Sequence, residues 1–272
     1  MKLTGKRFWL LATVLLVVGL LTILSAFIYI GFDFTRLNGT NLEQKTVAVE
    51  EPFHSIYVDA DWFNVTVLPK SEGGAATVLA PDGTNLHTEI SVREGILTIE
   101  VKDIRLWYQS FFSYAPGALG TITLYLPEGA YGNLTILSDT GDVSVDSGAP
   151  EVLFFEKAKI ETSTGDVVIT DTVLAHGEVT TSTGDVTVSG GSTRELSLKT
   201  STGDVEILQY TANFMSIETS TGDVLCDGIS SRRFDVRTSS GDVTCPASAK
   251  KGDYCAVTTS SGDVCIVNTP AE

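Results

Sequence analysis

Aligned on seven valines, Val143, Val167, Val186, Val205, Val224, Val243 and Val264, the second half of the chain repeats one pattern of apolar and polar positions. Two residues after each valine the position is again apolar, as Val145, Ile169, Val188, Ile207, Cys226, Cys245 and Ile266. Seven residues before it stand Ile136, Ile160, Val179, Leu198, Ile217, Val236 and Val257, and nine before it Leu134, Ala158, Gly177, Leu196, Met215, Phe234 and Cys255. Largely polar residues alternate with these columns, and a period of two belongs to a strand with one buried face. Each repeat is predicted to hold two short strands whose four columns point inward.

Ser/Thr-Gly-Asp joins the two strands, with its glycine at Gly141, Gly165, Gly184, Gly203, Gly222, Gly241 and Gly262. These glycines read as structural corners, because glycine reaches backbone geometry that other residues reach only with strain. The middle four intervals between them are all 19 residues. A fixed period near 20 marks a solenoid, whose coils bury their apolar side only by stacking on one another. The predicted fold is all-β, a parallel β-helix of about seven regular 19-residue coils, with strands about 4.8 Å apart and a stack roughly 30 to 35 Å tall.

The outward positions support this register. Lys199, Glu218 and Arg237 occupy one column in successive coils, and Lys159 and Glu178 another, so opposite charges meet along the ladder. The first and last intervals are 24 and 21 residues, so the length changes fall after the second strand, on a third side expected to carry loops. That side holds Pro150, Phe154, Phe155, His176, Arg194, Arg232, Arg233, Lys250 and Lys251. It varies freely, so Arg194, Arg232 and Arg233 are the candidates there for contact with a partner.

Before the repeats, alternating runs such as Ile56-Tyr-Val58, Val65-Thr-Val67, Leu97-Thr-Ile99 and Ile122-Thr-Leu-Tyr-Leu126 predict further strands. They are expected to form less regular coils or hairpins that cap the open end of the solenoid. Earlier still, Phe8 to Phe32 is 25 residues without a charge, preceded by Lys2, Lys6 and Arg7. A helix of that length would cross a hydrocarbon core of about 30 Å, with the basic end in the cytoplasm. The apolar run exceeds the usual hydrophobic region of a cleaved signal peptide, so an uncleaved signal anchor is expected. The expected organisation is a cytoplasmic tail (1–7), the transmembrane anchor (8–32), a linker (33–45), a β lead-in and N-terminal cap (46–130), the solenoid (131–268) and a short tail (269–272). The C-terminal domain would then lie outside the cell membrane.

Formal charge is −16 for the whole chain; without its three N-terminal basic residues it has fifteen basic against 34 acidic residues, or −19. So acidic a body repels nucleic acid and anionic surfaces. Cys226, Cys245 and Cys255 fall at inward positions, where thiols pack as small apolar groups. Adjacent coils put Cys226 and Cys245 near disulfide distance, and with no CxxC or zinc spacing a metal or other cofactor is not expected.

A membrane segment, a β-rich lead-in, the aromatic stretch Trp107-Tyr108-Gln109-Ser110-Phe111-Phe112, then Ile122-Thr-Leu-Tyr-Leu-Pro127 running into Leu134-Thr-Ile136 and Gly141-Asp-Val143 resembles the bacterial putative-adhesin β-solenoid family. The resemblance spans about residues 46 to 268. It implies a domain of unknown function, some of whose members are membrane-anchored and encoded with cell-envelope-stress genes. It supplies no catalytic residue.

Two readings of function follow. One is a non-catalytic interaction or adhesin-like surface in the cell envelope, with the bilayer and an unidentified envelope protein or polymer as partners. The other is a regulatory or sensory ectodomain acting through a membrane partner. Polysaccharide-cleaving β-helices cluster carboxylates that break the repeat, whereas here the aspartates are the repeat and the three histidines are scattered, so no enzyme is expected. Trp107, Tyr108, Phe111 and Phe112 would cover the first coil or enter the lipid interface. The threonines flanking the corners are expected to bond backbone rather than face ice, both on the core side with the serine outward. The seven aspartates would either accept hydrogen bonds from turn backbone or be bridged by divalent cations.

Overall fold

The computed structural model describes residues 5–29, 42–70, 73–83, 86–103, 120–148, 153–246 and 254–267, which belong to two separate compact units. The described part of the first is a helix, α1 (Gly5–Tyr29), whose sequence carries no charge after Lys6 and Arg7. Leu15, Leu16, Leu20, Leu21 and Ile23 are all more than half exposed. Its hydroxyls are satisfied within the helix, Thr13 donating to the Trp9 carbonyl at 2.9 Å and Ser25 to that of Thr22 at 2.8 Å. Among the described residues no helix is long and apolar enough to cross a membrane.

The second unit is the solenoid. Its regular strands are β8 (Gly129–Ser138), β9 (Val143–Asp146), β10 (Leu153–Thr164), β11 (Val167–Thr183), β12 (Val186–Thr202), β13 (Val205–Leu208), β14 (Thr211–Thr221), β15 (Val224–Asp227), β16 (Ser230–Ser240), β17 (Val243–Pro246), β18 (Tyr254–Ser261) and β19 (Val264–Val267). The pairings are parallel and hold the predicted register, Val167 on Val186 on Val205 and Ile160 on Val179 on Leu198 on Ile217. All four predicted columns are buried through Val243 and Cys245.

The coils from β8 to β16 nevertheless have three ladders, not two. Ladder A precedes the glycine corner and ladder B follows it; ladder C runs through Phe154, Val173, Ser192, Thr211 and Ser230. The third side is thus hydrogen-bonded sheet, and Phe155, which sequence placed among its loop residues, is fully buried. The segments 149–152 and 247–253, where coil length changes, lie outside the described residues. The turn between ladders B and C uses positive φ in coil after coil, at Asp171 (48°), Gly190 (66°), Gln209 (50°) and Gly228 (63°).

The lead-in comprises β1 (Leu42–Val49), β2 (Ser55–Asp59), β3 (Asn64–Pro69), β4 (Ala76–Gly83), β5 (Leu86–Arg93), β6 (Ile96–Asp103) and β7 (Thr121–Leu126). Two coils are concealed in it. Ile56 and Val58 stack parallel on Leu134 and Ile136, and Val65 and Val67 on Val143 and Val145. On the far side Leu97 and Ile99 stack on β2, and Ile122 and Leu124 on β3. The β6–β7 coil, later in sequence, therefore lies outside the β2–β3 coil. Antiparallel strands then seal this end, β5 on β6, β4 on β7 and β1 on β4. Through the pairing of Gly83 with Leu86 the strands close a ten-strand ring, β2-β8-β10-β11-β9-β3-β7-β4-β5-β6. β1 begins at Leu42, inside the stretch expected to be linker.

The glycine corners stack backbone on backbone. Gly203 has φ 152°, and a Cβ built there would meet the Gly184 carbonyl oxygen at 2.0 Å. Gly141 would meet that of Phe63 at the same distance. The Gly184 N–H donates to the Thr202 carbonyl and the Val186 N–H to that of Asp204, at 3.0 and 2.9 Å. The first threonine of each run is buried and donates to the glycine carbonyl one coil back, as Thr181 to Gly165 and Thr200 to Gly184 at 3.4 and 3.3 Å. The second, such as Thr183 or Thr202, is exposed, which corrects the expectation that both face the core. It continues past the inward position into the corner, where the chain has already turned.

The charged columns align as predicted, with partly different partners. Lys199 meets Glu218 at 3.4 Å, but Arg237 turns to Asp235 in its own strand at 2.8 Å. Lys159 pairs with Glu161 at 2.8 Å, and Lys157 reaches Glu178 at 3.7 Å. Such exposed pairs contribute below about 1 kcal/mol each.

No disulfide joins the four cysteines; Cys226 and Cys245 are buried, Cys255 is half-buried and Cys265 is exposed. Burial first, and then neighbouring Cys245, push the Cys226 thiol far above its ordinary range. Since the thiolate is the reactive form, a maleimide reagent at neutral pH is expected to label Cys265 in the native protein and Cys226 only after denaturation. Mass spectrometry of the peptides checks this order.

Candidate functional site

Strands expose alternate side chains, so parallel stacking turns one repeat position into a row of neighbours on the surface. Ten residues before the aligned valines that row reads Asn133, Lys157, His176, Glu195, Phe214, Arg233 and Tyr254 along ladder A. His176 Nδ1 lies 3.2 Å from Glu195 Oε2. Further along, the Arg233 guanidinium carbon is 5.8 Å from the Phe214 ring centroid and 5.3 Å from that of Tyr254. Both separations suit cation–π attraction, and each ring is 45% exposed.

Beside this row is a shallow depression of about 320 Å³, bordered by Glu195, Phe214, Arg233, Tyr254 and Asp235 and lined by Ser197 and Ser216. The serines leave room next to the aromatic edges. Asp235 presents one oxygen to Arg237, while its other oxygen, Oδ1, is buried without a hydrogen-bond partner. Arg194 and Arg232 are exposed at the bend leading into this ladder, immediately before Glu195 and Arg233. The sequence-predicted arginines thus lie on one flank, two coils or about 10 Å apart along the stack. This arrangement offers ring faces, guanidinium donors and hydroxyls for binding.

Sequence reasoning selected Arg233 but missed Phe214, Tyr254 and Glu195. Their signal was the shared offset from the repeat valine, at a position with no consensus residue. Trp107, Tyr108, Phe111 and Phe112 lie outside the described residues. Gly184, Gly203, Gly222, Gly241 and Gly262 have positive φ, while Gly141 and Gly165 join the same close stack without it.

A second depression, of about 390 Å³, gathers Asp59, Asp61, Asp139 and Glu161 around Thr162 and Ser163. These carboxylates come from three coils and were not linked by the sequence. Among the described residues no three His, Cys, Asp or Glu side chains are placed to hold a metal ion.

The sequence profile of the family described as Toastrack DUF4097 matches residues 53–272. Among solved structures, a putative adhesin from Bacteroides fragilis is 13% identical, covering 85% of this chain and 99% of its own, with a TM-score of 0.52. A putative adhesin from Parabacteroides distasonis is 15% identical over 85% of this chain and 98% of its own, with a TM-score of 0.51. At such identity the likeness is one of fold. No curated protein matches the chain.

Proposed function

The chain belongs to the Toastrack DUF4097 family, and from that premise we propose that it is a membrane-anchored, extracytoplasmic solenoid whose sheet surface is a non-catalytic recognition platform in the bacterial envelope. The Phe214–Arg233–Tyr254 row carries the reading. Two half-exposed aromatic rings flank an arginine on a strongly acidic body, a pairing suited to flat or ring-shaped groups bearing negative charge. The structural neighbours with this fold that are named as adhesins are consistent with such a surface.

The anchor rests on the charge-free run from Phe8 to Phe32 and on leucines exposed around α1. An all-round apolar helix belongs in protein core or lipid. Protease added to intact, wall-stripped cells is expected to digest the solenoid. A protected solenoid would overturn the orientation, and a mature N-terminus beyond Phe32 would overturn the uncleaved anchor.

A photo-reactive amino acid placed at position 214 or 254 in the full chain in living cells tests the surface. Discrete adducts are expected at least fivefold above those from position 206, an outward site on ladder B. Equal yields from all three positions would remove the row as a recognition surface.

A further inference from the structure

The two ends of the solenoid differ. At one end β1, β4 and β5 cover the outermost coil. At the other, β18 pairs with β16 and β19 with β17, and among the described residues no strand lies on the outer side of either. The inward columns emerge there: Val264 is 43% exposed and Ile266 37%, against 0% and 2% for Val243 and Cys245 one coil earlier. Cys255 and Val257 in β18 are also partly uncovered. Among the described residues this end presents both an apolar patch and a strand edge that no further strand covers.

Exposed edges are ordinarily blunted by charge, proline, a bulge or a cover. β18 and β19 contain no Lys, Arg, Glu, Asp or Pro, and the only charged residue from Tyr254 to Val267 is Asp263 at the corner. The preceding coil differs, since β16 alone carries Arg232, Arg233, Asp235 and Arg237. In a chain of formal charge −16, the terminal coil is thus a nearly neutral window through which two copies can approach. Head-to-tail stacking is blocked by the antiparallel cover, so the end available on a second copy is this same one. A two-fold relation between identical ends also makes facing strands antiparallel, a pairing sheet edges accept readily.

We propose that the terminal coil, β18 and β19, is a self-association surface that docks end to end on the same coil of a second copy, giving a closed two-fold dimer. Cys265 is exposed on the outward side of β19, and a two-fold axis that crosses this side of the coil brings it close to its counterpart.

The test uses the full chain in detergent micelles and in native membranes. Sedimentation equilibrium at tens of micromolar is expected to give a dimer, and a short bismaleimide is expected to link two copies in membranes, a product lost in Cys265→Ser. Val264→Lys and Cys265→Lys are each expected to weaken the dimer at least tenfold. The second variant alters an outward side chain and leaves the core intact, and continued protection of Cys226 from maleimide verifies that either variant is folded. A monomer throughout the concentration range would overturn the proposal. So would a dimer unchanged in both folded lysine variants, which would place association elsewhere, or a Cys265 shielded from maleimide in a monomer, which would mean the chain covers its own end.

Discussion

Gly203→Val is expected to lower the melting temperature of the full chain in detergent by about 10 °C or more, while Lys199→Ala in the same coil leaves it nearly unchanged. The valine Cβ would lie 2.0 Å from the Gly184 carbonyl oxygen and 2.6 Å from its carbon, both backbone atoms that no rotamer change can remove. φ at this position is 152°, so the side chain also meets local backbone strain of roughly 1 to 2 kcal/mol. Relief requires separating two coils, which breaks the Gly184 N–H bond to Thr202 and the Thr200 hydroxyl bond to Gly184. In a stacked repeat that interface is a large share of each coil's stability. A loss of about 4 kcal/mol or more is expected, at roughly 2 to 4 °C per kcal/mol for a body of this size. Lys199→Ala removes an exposed 3.4 Å pair with Glu218, worth about 0.5 kcal/mol. Gly262→Val meets the same contact geometry at the last coil, and is expected to cost less because only that coil is released. Equal melting temperatures for Gly203→Val and Lys199→Ala, followed by circular dichroism, would contradict the corner stack.

Most of the regular coils were legible because large apolar residues recur at four fixed offsets from a glycine-aspartate corner. The β2–β3 coil obeys the same offsets: Ile56, Val58 and Val67 stand nine before, seven before and two after Val65. It was hidden because its corner reads Phe63-Asn64 instead of Gly-Asp. The position of β6–β7 outside β2–β3 was not legible, since pairing between strands remote in sequence leaves no local period. Ladder C escaped notice for a different reason. Its inward row passes from Phe155 through Leu174 to Thr193, Ala212 and Ser231, so buried side chains shrink and become polar along the stack. Thr193 satisfies its hydroxyl on the Glu195 carbonyl at 3.0 Å, and Ser231 on that of Arg233 at 2.7 Å. Hydrophobic periodicity cannot report such a row. The Phe214–Arg233–Tyr254 row was legible only in part: arginines stand out by type, whereas Phe214 and Tyr254 become neighbours of Arg233 only once the register is imposed.

The aspartate column carries the second large effect. Each carboxylate accepts the backbone N–H of the aspartate one coil on, as Asp166 Oδ1 from Asp185, Asp185 Oδ1 from Asp204 and Asp204 Oδ1 from Asp223, at 2.8 to 2.9 Å. The expected turn-backbone bonding is present, but it runs between coils and continues through Asp242 to the Asp263 N–H. The ladder starts on a neutral side chain, Asn64, whose Oδ1 accepts from the Asp142 N–H at 2.9 Å. An amide oxygen therefore fits this position. A triple Asp185→Asn, Asp204→Asn, Asp223→Asn variant keeps an acceptor and removes three negative charges stacked about 4.8 Å apart. It is expected to melt within a few degrees of the parent at 0.5 M salt, and above it at 10 mM, where repulsion among exposed charges is least screened. The corresponding triple alanine variant leaves three backbone donors without their acceptors, at about 1 kcal/mol or more each, and is expected to melt about 6 to 12 °C lower at either ionic strength. Thermal melts at the two salt concentrations, each in chelator and in millimolar calcium, decide between hydrogen bonding and cation bridging. Hydrogen bonding predicts the order asparagine, aspartate, alanine at low salt, with no specific effect of calcium. A parent stabilised by calcium beyond matched ionic strength, with that gain absent from the asparagine variant, would instead make the column a cation ladder.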